Sequence, residues 1–209
     1  MQALFDINNI AFSILNYPIS YVELLGTIFG LLGVFFASRS HVITWPTGLI
    51  NIVFFFALFY QYQLYADMFL QVYFFAINVY GWLNWKKAQN SSESFTLFLN
   101  KRQKIIILSS ITLLTFPVGY LVSNLHEILP SIFTAPAKAA YLNSFIMVAS
   151  IFANTLLAKR YIESWYLWIL VDIICVGLYF QQGIYFLTLE YLLFLVIAIY
   201  AVYAWRKKI

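Results

Sequence analysis

The sequence has one cysteine, five prolines and eight glycines in 209 residues, and only 10% of its residues are charged. The lone Cys175 excludes an internal disulfide and leaves the redox compartment unspecified. A soluble domain carries about 25% charged and 45–50% apolar residues. This chain is 63% hydrophobic with a mean hydropathy of +0.83, so water is the wrong solvent for it. At ~1.5 Å per residue a helix needs roughly 20 residues to cross the hydrocarbon slab, and seven crossings take about 140. Short turns and one longer linker remain, which excludes a separate soluble catalytic domain.

Long apolar runs occupy approximately 19–38, 43–61, 63–85, 104–124, 138–158, 163–181 and 184–205. Unpaired backbone groups are too costly in lipid for anything but helices or closed barrels, and these runs lack the alternation of barrel strands. The fold class is therefore an all-α integral membrane protein with seven transmembrane helices. Within residues 2–17, Leu4, Ile7, Ala11 and Ile14 recur at helical spacing, with Asp6, Asn8, Asn9 and Asn16 elsewhere. That pattern predicts a short helix lying on the membrane surface. The stretch has no Lys or Arg and no small-residue cleavage site, which argues against a secretory signal.

The net charge is +4. Threading seven crossings puts Arg39, Lys86, Lys87, Lys101, Arg102, Lys104, Lys159, Arg160, Arg206, Lys207 and Lys208 on one side and Lys138 alone on the other. That distribution is the positive-inside pattern rather than a nucleic-acid surface. It places the N-terminus outside and the C-terminus in the cytoplasm. Trp45, Trp85, Trp165 and Trp205 fall near the cytoplasmic boundary, where indoles favour the headgroup layer, and are expected to form an interfacial belt.

An ungapped offset of 120 residues lays Trp45 on Trp165, Gln61 on Gln181, Tyr65 on Tyr185, Tyr80 on Tyr200, Trp85 on Trp205 and Lys87 on Lys207. The same offset aligns helix ends, outer turns and the basic pairs Lys86–Lys87 and Arg206–Lys207. The organisation read from this is an interfacial segment at 1–18, a first three-helix bundle at 19–85 and a cytoplasmic linker at 86–103, then a connecting helix at 104–124 and a second three-helix bundle at 138–206. One intervening crossing returns the second bundle to the orientation of the first. The repeats are thus parallel, a 3+1+3 arrangement, and substrate is expected between the bundles near mid-depth.

Polar groups in lipid need a reason. A carboxylate at a helix centre costs roughly 2.5–3.5 kcal/mol on insertion scales. Asp172 lies mid-segment and Glu190 about two turns into the last one, while Asp67 and Glu23 sit nearer the outer ends. The outer pair reads as structural: Leu64-Tyr65-Ala66-Asp67 opens a helix, where a carboxylate meets the positive dipole end. Asn51 matches the depth of Asp172, and Gln71 that of Glu190. Gln71, Asn78 and Trp82 share one helical face. Asn51, Gln71 and Asn78 either join helices or meet a ligand. No Lys or Arg lies at the depth of Asp172, so a cationic ligand is its expected partner. Trp165 and Trp168, three apart, share a face that suits a flat cationic ring, at ~0.5–2 kcal/mol for each cation–π contact.

Other functions fit poorly. No G-x-x-x-x-G-K-[ST] loop is present, which argues against ATP-driven transport within the chain. Neither H-E-x-x-H nor G-x-S-x-G occurs, and His41 and His126 lie in loops, so an enzyme is not expected and no cofactor or metal is implied. A retinal-type receptor needs a lysine in its last helix, and 184–205 has none. A pore displays rings or repeated polar faces, whereas these polar groups cluster near one level. A solute carrier remains.

The run His41-Val-Ile-Thr-Trp45-Pro-Thr-Gly48-Leu-Ile-Asn51, with Leu64-Tyr-Ala-Asp67, Leu70-Gln71-Val-Tyr73 and Tyr80-Gly81-Trp82-x-x-Trp85, resembles the PnuC family of bacterial vitamin transporters. In the second half, Tyr161-Ile-Glu163-x-Trp165-x-x-Trp168 leading to Asp172, then Gln182-Gly183-x-Tyr185 and Leu189-Glu190-Tyr191, is similar to the corresponding family stretch. The resemblance covers about residues 20 to 206. It implies a 3+1+3 architecture similar to sugar transporters of the SWEET type, and uptake of nicotinamide riboside across the bacterial inner membrane by facilitated diffusion. It also implies trapping by a cytosolic kinase and a homotrimer. Relatives with similar motifs carry thiamine or riboflavin. Carried over by position, the substrate contacts are Asn51, Gln71, Asn78, Trp165, Trp168, Asp172, Glu190 and Tyr191. Proton coupling through Asp172 and Glu190 is the open alternative to facilitated diffusion.

Overall fold

A computed structural model describes residues 2–14, 17–62, 65–90, 94–131, 136–137, 139–183 and 185–207. Leu64, Lys138 and Lys208 fall outside the described residues, as does the side chain of Asp67. Helices α1 (Tyr21–Ser38), α2 (Thr44–Gln61) and α3 (Tyr65–Gln89) are followed by α4 (Lys101–Ser123) and the single turn α5 (Leu125–Ile128). Then come α6 (Ala140–Ala158), α7 (Glu163–Gln181) and α8 (Tyr185–Arg206). All but α5 have between 18 and 25 residues. The whole of α1, α4, α6 and α7, and Thr188–Arg206 of α8, are long and apolar enough to span a membrane.

Helix ends follow local chemistry. Ser20 caps α1, its Oγ accepting from Glu23 N at 3.3 Å. Asn100 and Gln103 form a reciprocal capping box on α4, at 2.8 and 2.9 Å, which starts that helix where the sequence turns basic.

The expected surface helix over 2–17 is not formed. A short 3-10 turn, Gln2–Phe5, precedes an antiparallel hairpin of β1 (Ile10–Ile14) and β2 (Tyr17–Ser20), with Ile14 opposite Tyr17 and Ser13 opposite Pro18. The physical reason is that Ile10, Phe12 and Ile14 alternate with period two and are β-branched or aromatic. Asn8 and Asn9 meanwhile compete with helical backbone bonds. Gln61 at the end of α2 fastens this segment: Nε2 donates to the carbonyls of Phe5 and Ala57, and Oε1 accepts from Ile7 N at 3.2 Å. Phe5 stacks on Phe54 at 5.1 Å, and the Tyr17 hydroxyl donates to Glu23 Oε1 at 3.0 Å. Glu23 thus has the structural role its position suggested.

The chain divides into two compact units. The first is Met1–Phe95 with Tyr203–Ile209, and the second Thr96–Val202. In the first, α1 packs on α2 and α2 on α3; in the second, α4 packs on α6 and α6 on α7. The interfacial belt expected of the four tryptophans is overturned: Trp45 and Trp165 are 2% and 1% exposed, Trp85 and Trp205 0%. The reason is visible in the first unit. Trp85 meets Trp45, Phe95 and Trp205 edge to face at 5.0, 5.0 and 5.6 Å, and Trp205 Nε1 donates to the Ala37 carbonyl at 3.0 Å. Trp45 lies over Gly81, where a Cβ would fall 2.3 Å from the indole, so the missing side chain makes the space that the ring fills.

The turns α1–α2 and α6–α7 have the same backbone geometry at the offset of 120. Ser40 and Arg160 both have positive φ, +57° and +67°. His41 N bonds Phe36 O as Tyr161 N bonds Leu156 O, and Trp45 N bonds Val42 O as Trp165 N bonds Ile162 O. In the second unit the segment before α4 is pinned to its turn. Leu97 N donates to Arg160 O and Ile162 N to Leu97 O, at 2.9 and 3.1 Å, while Glu163 accepts from Leu99 N and pairs with Lys104 at 2.9 Å.

Candidate functional site

On α7 the residues Trp168, Asp172, Cys175 and Tyr179 follow one another at spacings of four, three and four, which places them on one helical face. Asp172 is 2% exposed. Among the described residues its carboxylate accepts no hydrogen bond and meets no cation. Buried charge without a partner is costly, so a group of this kind is held ready for something else. Cys175 is fully buried one turn along, and Tyr191 of α8 packs against the core cluster that contains it. Asp172 shares its α7 face with Cys175, and its chain neighbour Val171 belongs to the core cluster on which Tyr191 packs. The Tyr191 ring is held by Tyr179 at 5.4 Å with planes 30° apart, and by Phe194 edge-on at 5.8 Å. Trp168, Tyr179 and Tyr191 rest on an apolar core that includes Val148, Ala149, Ala153 and Val171.

The remaining sequence-derived candidates separate by unit. In the second, Glu190 is half-buried and next to Tyr191 in α8, and Trp165 is packed away at 1% exposure. In the first, Asn51 Nδ2 donates to the Gly26 carbonyl at 2.8 Å, which joins α2 to α1. Asn78 Nδ2 donates to the Phe74 carbonyl of its own helix at 2.8 Å, and its Oδ1 fills the space over Gly48, where a Cβ would come within 2.5 Å. Gln71, 8% exposed, lines an apolar cleft of about 300 Å³ between α2 and α3 with Ile52, Phe56 and Phe75. At the offset of 120, Ile52 stands where the second unit has Asp172, Gln71 where it has Tyr191, and Gly48 where it has Trp168. The anion and the ring surface therefore belong to the second unit, and the amides to the first.

The profile of a family described as Nicotinamide mononucleotide transporter matches residues 20–207. The nicotinamide riboside transporter PnuC of Escherichia coli is 33% identical over 201 residues, covering 88% of this chain and 84% of that protein. The chain belongs to the PnuC family. Another relative of this PnuC-family chain, the riboflavin/roseoflavin transporter RibM of Streptomyces davaonensis, is 24% identical over 202 residues, covering 95% of this chain and 91% of that protein. A crystal structure of the Vitamin B3 transporter PnuC superposes with a TM-score of 0.69 at 23% identity, over 90% of this chain and 81% of that one, which agrees in fold. As a PnuC-family member the chain is a multi-pass membrane transporter.

Two residues on the α7 face of Asp172 escape a reading of sequence alone, Cys175 and Tyr179. Neither is polar enough to stand out in lipid. The signal that finds them is their spacing of three and seven from Asp172, which puts them on its face.

Proposed function

We propose that the protein takes up nicotinamide riboside across the bacterial inner membrane by facilitated diffusion. The observation that carries this reading is Asp172, a buried carboxylate with no partner among the described residues, set beside the Tyr191 and Trp168 rings. A pyridinium riboside offers the positive charge and flat ring that this surface lacks, and stacking with cation–π attraction holds the ring. The same surface argues against the mononucleotide: among the described residues every Lys and Arg lies in a helix-terminal turn, a cap or a loop, so no cation stands at mid-helix to meet a phosphate. Glu190, half-buried and next to Tyr191 in the chain, extends this surface, whereas Trp165 is packed into the core and the amides of Asn51, Gln71 and Asn78 belong to the first unit. Entry and exit must both be easy, so affinity is modest.

The seven helices form a 3+1+3 pair of parallel repeats with α4 as connector, supported by the matching helix bounds and the hydrogen-bond-by-hydrogen-bond match of the two turns. Alternating access exposes the site first outward and then inward without ATP. The N-terminus lies outside and the C-terminus in the cytoplasm. A cytosolic kinase phosphorylates the entered riboside and keeps the gradient inward, and the assembly is a homotrimer. Thiamine is the second reading, since its thiazolium meets the same carboxylate. Labelled nicotinamide riboside, thiamine and riboflavin offered to proteoliposomes test the assignment. Saturable uptake of the riboside is expected, with riboflavin excluded. Uptake of thiamine alone shifts the cargo, and uptake of none of the three removes the reading.

A further inference from the structure

Glu163 opens α7 within the run Tyr161-Ile-Glu163-x-Trp165-x-x-Trp168, is 8% exposed, and has no part in the cargo surface. Both of its carboxylate oxygens serve the segment that starts α4: Oε2 accepts from Leu99 N at 3.2 Å and Oε1 meets Lys104 Nζ at 2.9 Å. An anion is wanted there. Helix α4 opens with Lys101, Arg102 and Lys104 and has no acid in its first turn, which sets three cations at the positive end of its dipole. The turn before α7 does not itself need the carboxylate. At the offset of 120 the α1–α2 turn makes the same backbone hydrogen bonds with Ile43 in the place of Glu163. The two contacts differ in weight. Lys104 is half-exposed, so water screens its ion pair, whereas the bond to Leu99 N is buried. Leu99 in turn shares one core cluster with Leu167 and Val171 of α7, and Val171 immediately precedes Asp172.

We propose that Glu163 is a positioning residue for the cargo site: through its buried bond to Leu99 N it ties the start of α4 to the start of α7 throughout the transport cycle, and so fixes where Trp168 and Asp172 stand. The inference rests on the reading of Asp172 and Trp168 as the cargo surface and goes beyond it by naming what holds that surface in place. Asp172 is nine residues from Glu163, about 13.5 Å along the helix axis, so the carboxylate acts through the helix and never meets the cargo. Helix α4 packs on α6 and α6 on α7, which makes α4 and α7 second neighbours, and Glu163 joins their first turns directly. The parallel bridge of Leu97 with Tyr161 runs alongside, Leu97 N on Arg160 O and Ile162 N on Leu97 O, so the tie is a strap rather than a single contact.

The test is uptake of labelled nicotinamide riboside into proteoliposomes by the full chain, with KM and maximal rate measured separately and thermal stability followed in parallel. Glu163→Ala strands the buried Leu99 N and is expected to raise KM about fivefold or more. Glu163→Gln keeps an acceptor for Leu99 N and stays within about twofold of wild type in KM, as does Lys104→Met, which removes only the screened partner. A permanent tie also predicts a rescue. Leu97→Cys with Tyr161→Cys puts thiols on bridge partners about 4.8 Å apart, within the span of a disulfide, while the fully buried Cys175 is left in place. The oxidised pair is expected to carry riboside within about twofold of its own reduced form, and in the Glu163→Ala background oxidation should return KM to that of the pair alone. Equal KM for the Ala and Gln variants overturns the proposal, as does a Glu163→Ala chain that loses thermal stability with KM unmoved. A disulfide that stops uptake until it is reduced also overturns it, because the strap would then have to open in each cycle. The cross-linked chain with Glu163 intact decides that point even where Glu163→Ala fails to fold. All three results leave the cargo assignment standing, whereas wild-type protein that takes up no cationic vitamin overturns both.

Discussion

Asp172 carries the functional reading at the scale of a single residue. In lipid a group is visible in sequence when it is expensive there, and this carboxylate is both mid-helix and without a neutralising base. If it is the counter-charge of the cargo, Asp172→Asn keeps the shape and loses the charge. Hydrogen bonds and contacts to a charged group are worth about 1.5–3 kcal/mol, so a cationic riboside should lose roughly 10- to 100-fold in affinity. The neutral dihydro form of the same riboside should change little, and competition binding to purified protein compares the two. Equal losses would take Asp172 out of the charge role. The same logic explains what a sequence conceals. Cys175 and Tyr179 sit as comfortably in lipid as in a site, so only their register with Asp172 marks them. The four tryptophans were misplaced because an indole at a helix end suits a headgroup layer and a packed core equally well. It is Gly81, a space across from Trp45, that decides for the core.

At the scale of elements, that space makes a prediction. Gly81→Ala places a methyl 2.3–2.5 Å from the Trp45 ring, whose edge is already held by Trp85, so the indole must shift. Overpacking of this kind costs typically ~1–3 kcal/mol, and a fall in thermal stability partly recovered by adding Trp45→Phe is the expected result. The helices themselves were legible. Runs read at 43–61, 104–124 and 163–181 became Thr44–Gln61, Lys101–Ser123 and Glu163–Gln181, because uninterrupted apolar length leaves the backbone no alternative in a bilayer. The hairpin was not legible, since Ile10, Phe12 and Ile14 satisfy a helical and a strand period in so short a stretch. What fixes it is tertiary: Gln61 and Glu23 reach it from α2 and α1. That anchoring has a pH signature. Burial, reinforced by the hydrogen bond to Glu23, pushes the Tyr17 phenol up to about 12, and burial also raises Tyr62. A raised folded-state value means the contribution is intact below the unfolded value near 10 and is lost as pH climbs toward 12. Stability should therefore decline across that window, and Tyr17→Phe should flatten the decline.

For the whole molecule, the question is what drives the cargo. The first unit has its described basic side chains Arg39, Lys86, Lys87, Arg206 and Lys207 at the end that carries the tryptophan cluster, and the acids whose side chains are described, Asp6 and Glu23, at the hairpin end. That asymmetry supports the proposed orientation, with the basic end in the cytoplasm. The proposed site offers carboxylates, Asp172 and Glu190, but no Lys or Arg among the described residues to exchange for the incoming charge. Facilitated diffusion of a monovalent cation then moves one positive charge inward per cycle, provided the empty carrier returns without a proton on Asp172. Each charge moved through 100 mV is worth about 2.3 kcal/mol, so an inside-negative potential of that size should concentrate the riboside roughly 50-fold in proteoliposomes, with no pH gradient imposed. A potassium diffusion potential set by valinomycin supplies the field, and reversing its sign should expel preloaded riboside. A carrier that instead trades each cation for a proton at Asp172 moves no net charge. It would ignore the potential and respond to a pH gradient, so the two drives applied separately to the same vesicles distinguish a passive carrier from a coupled one.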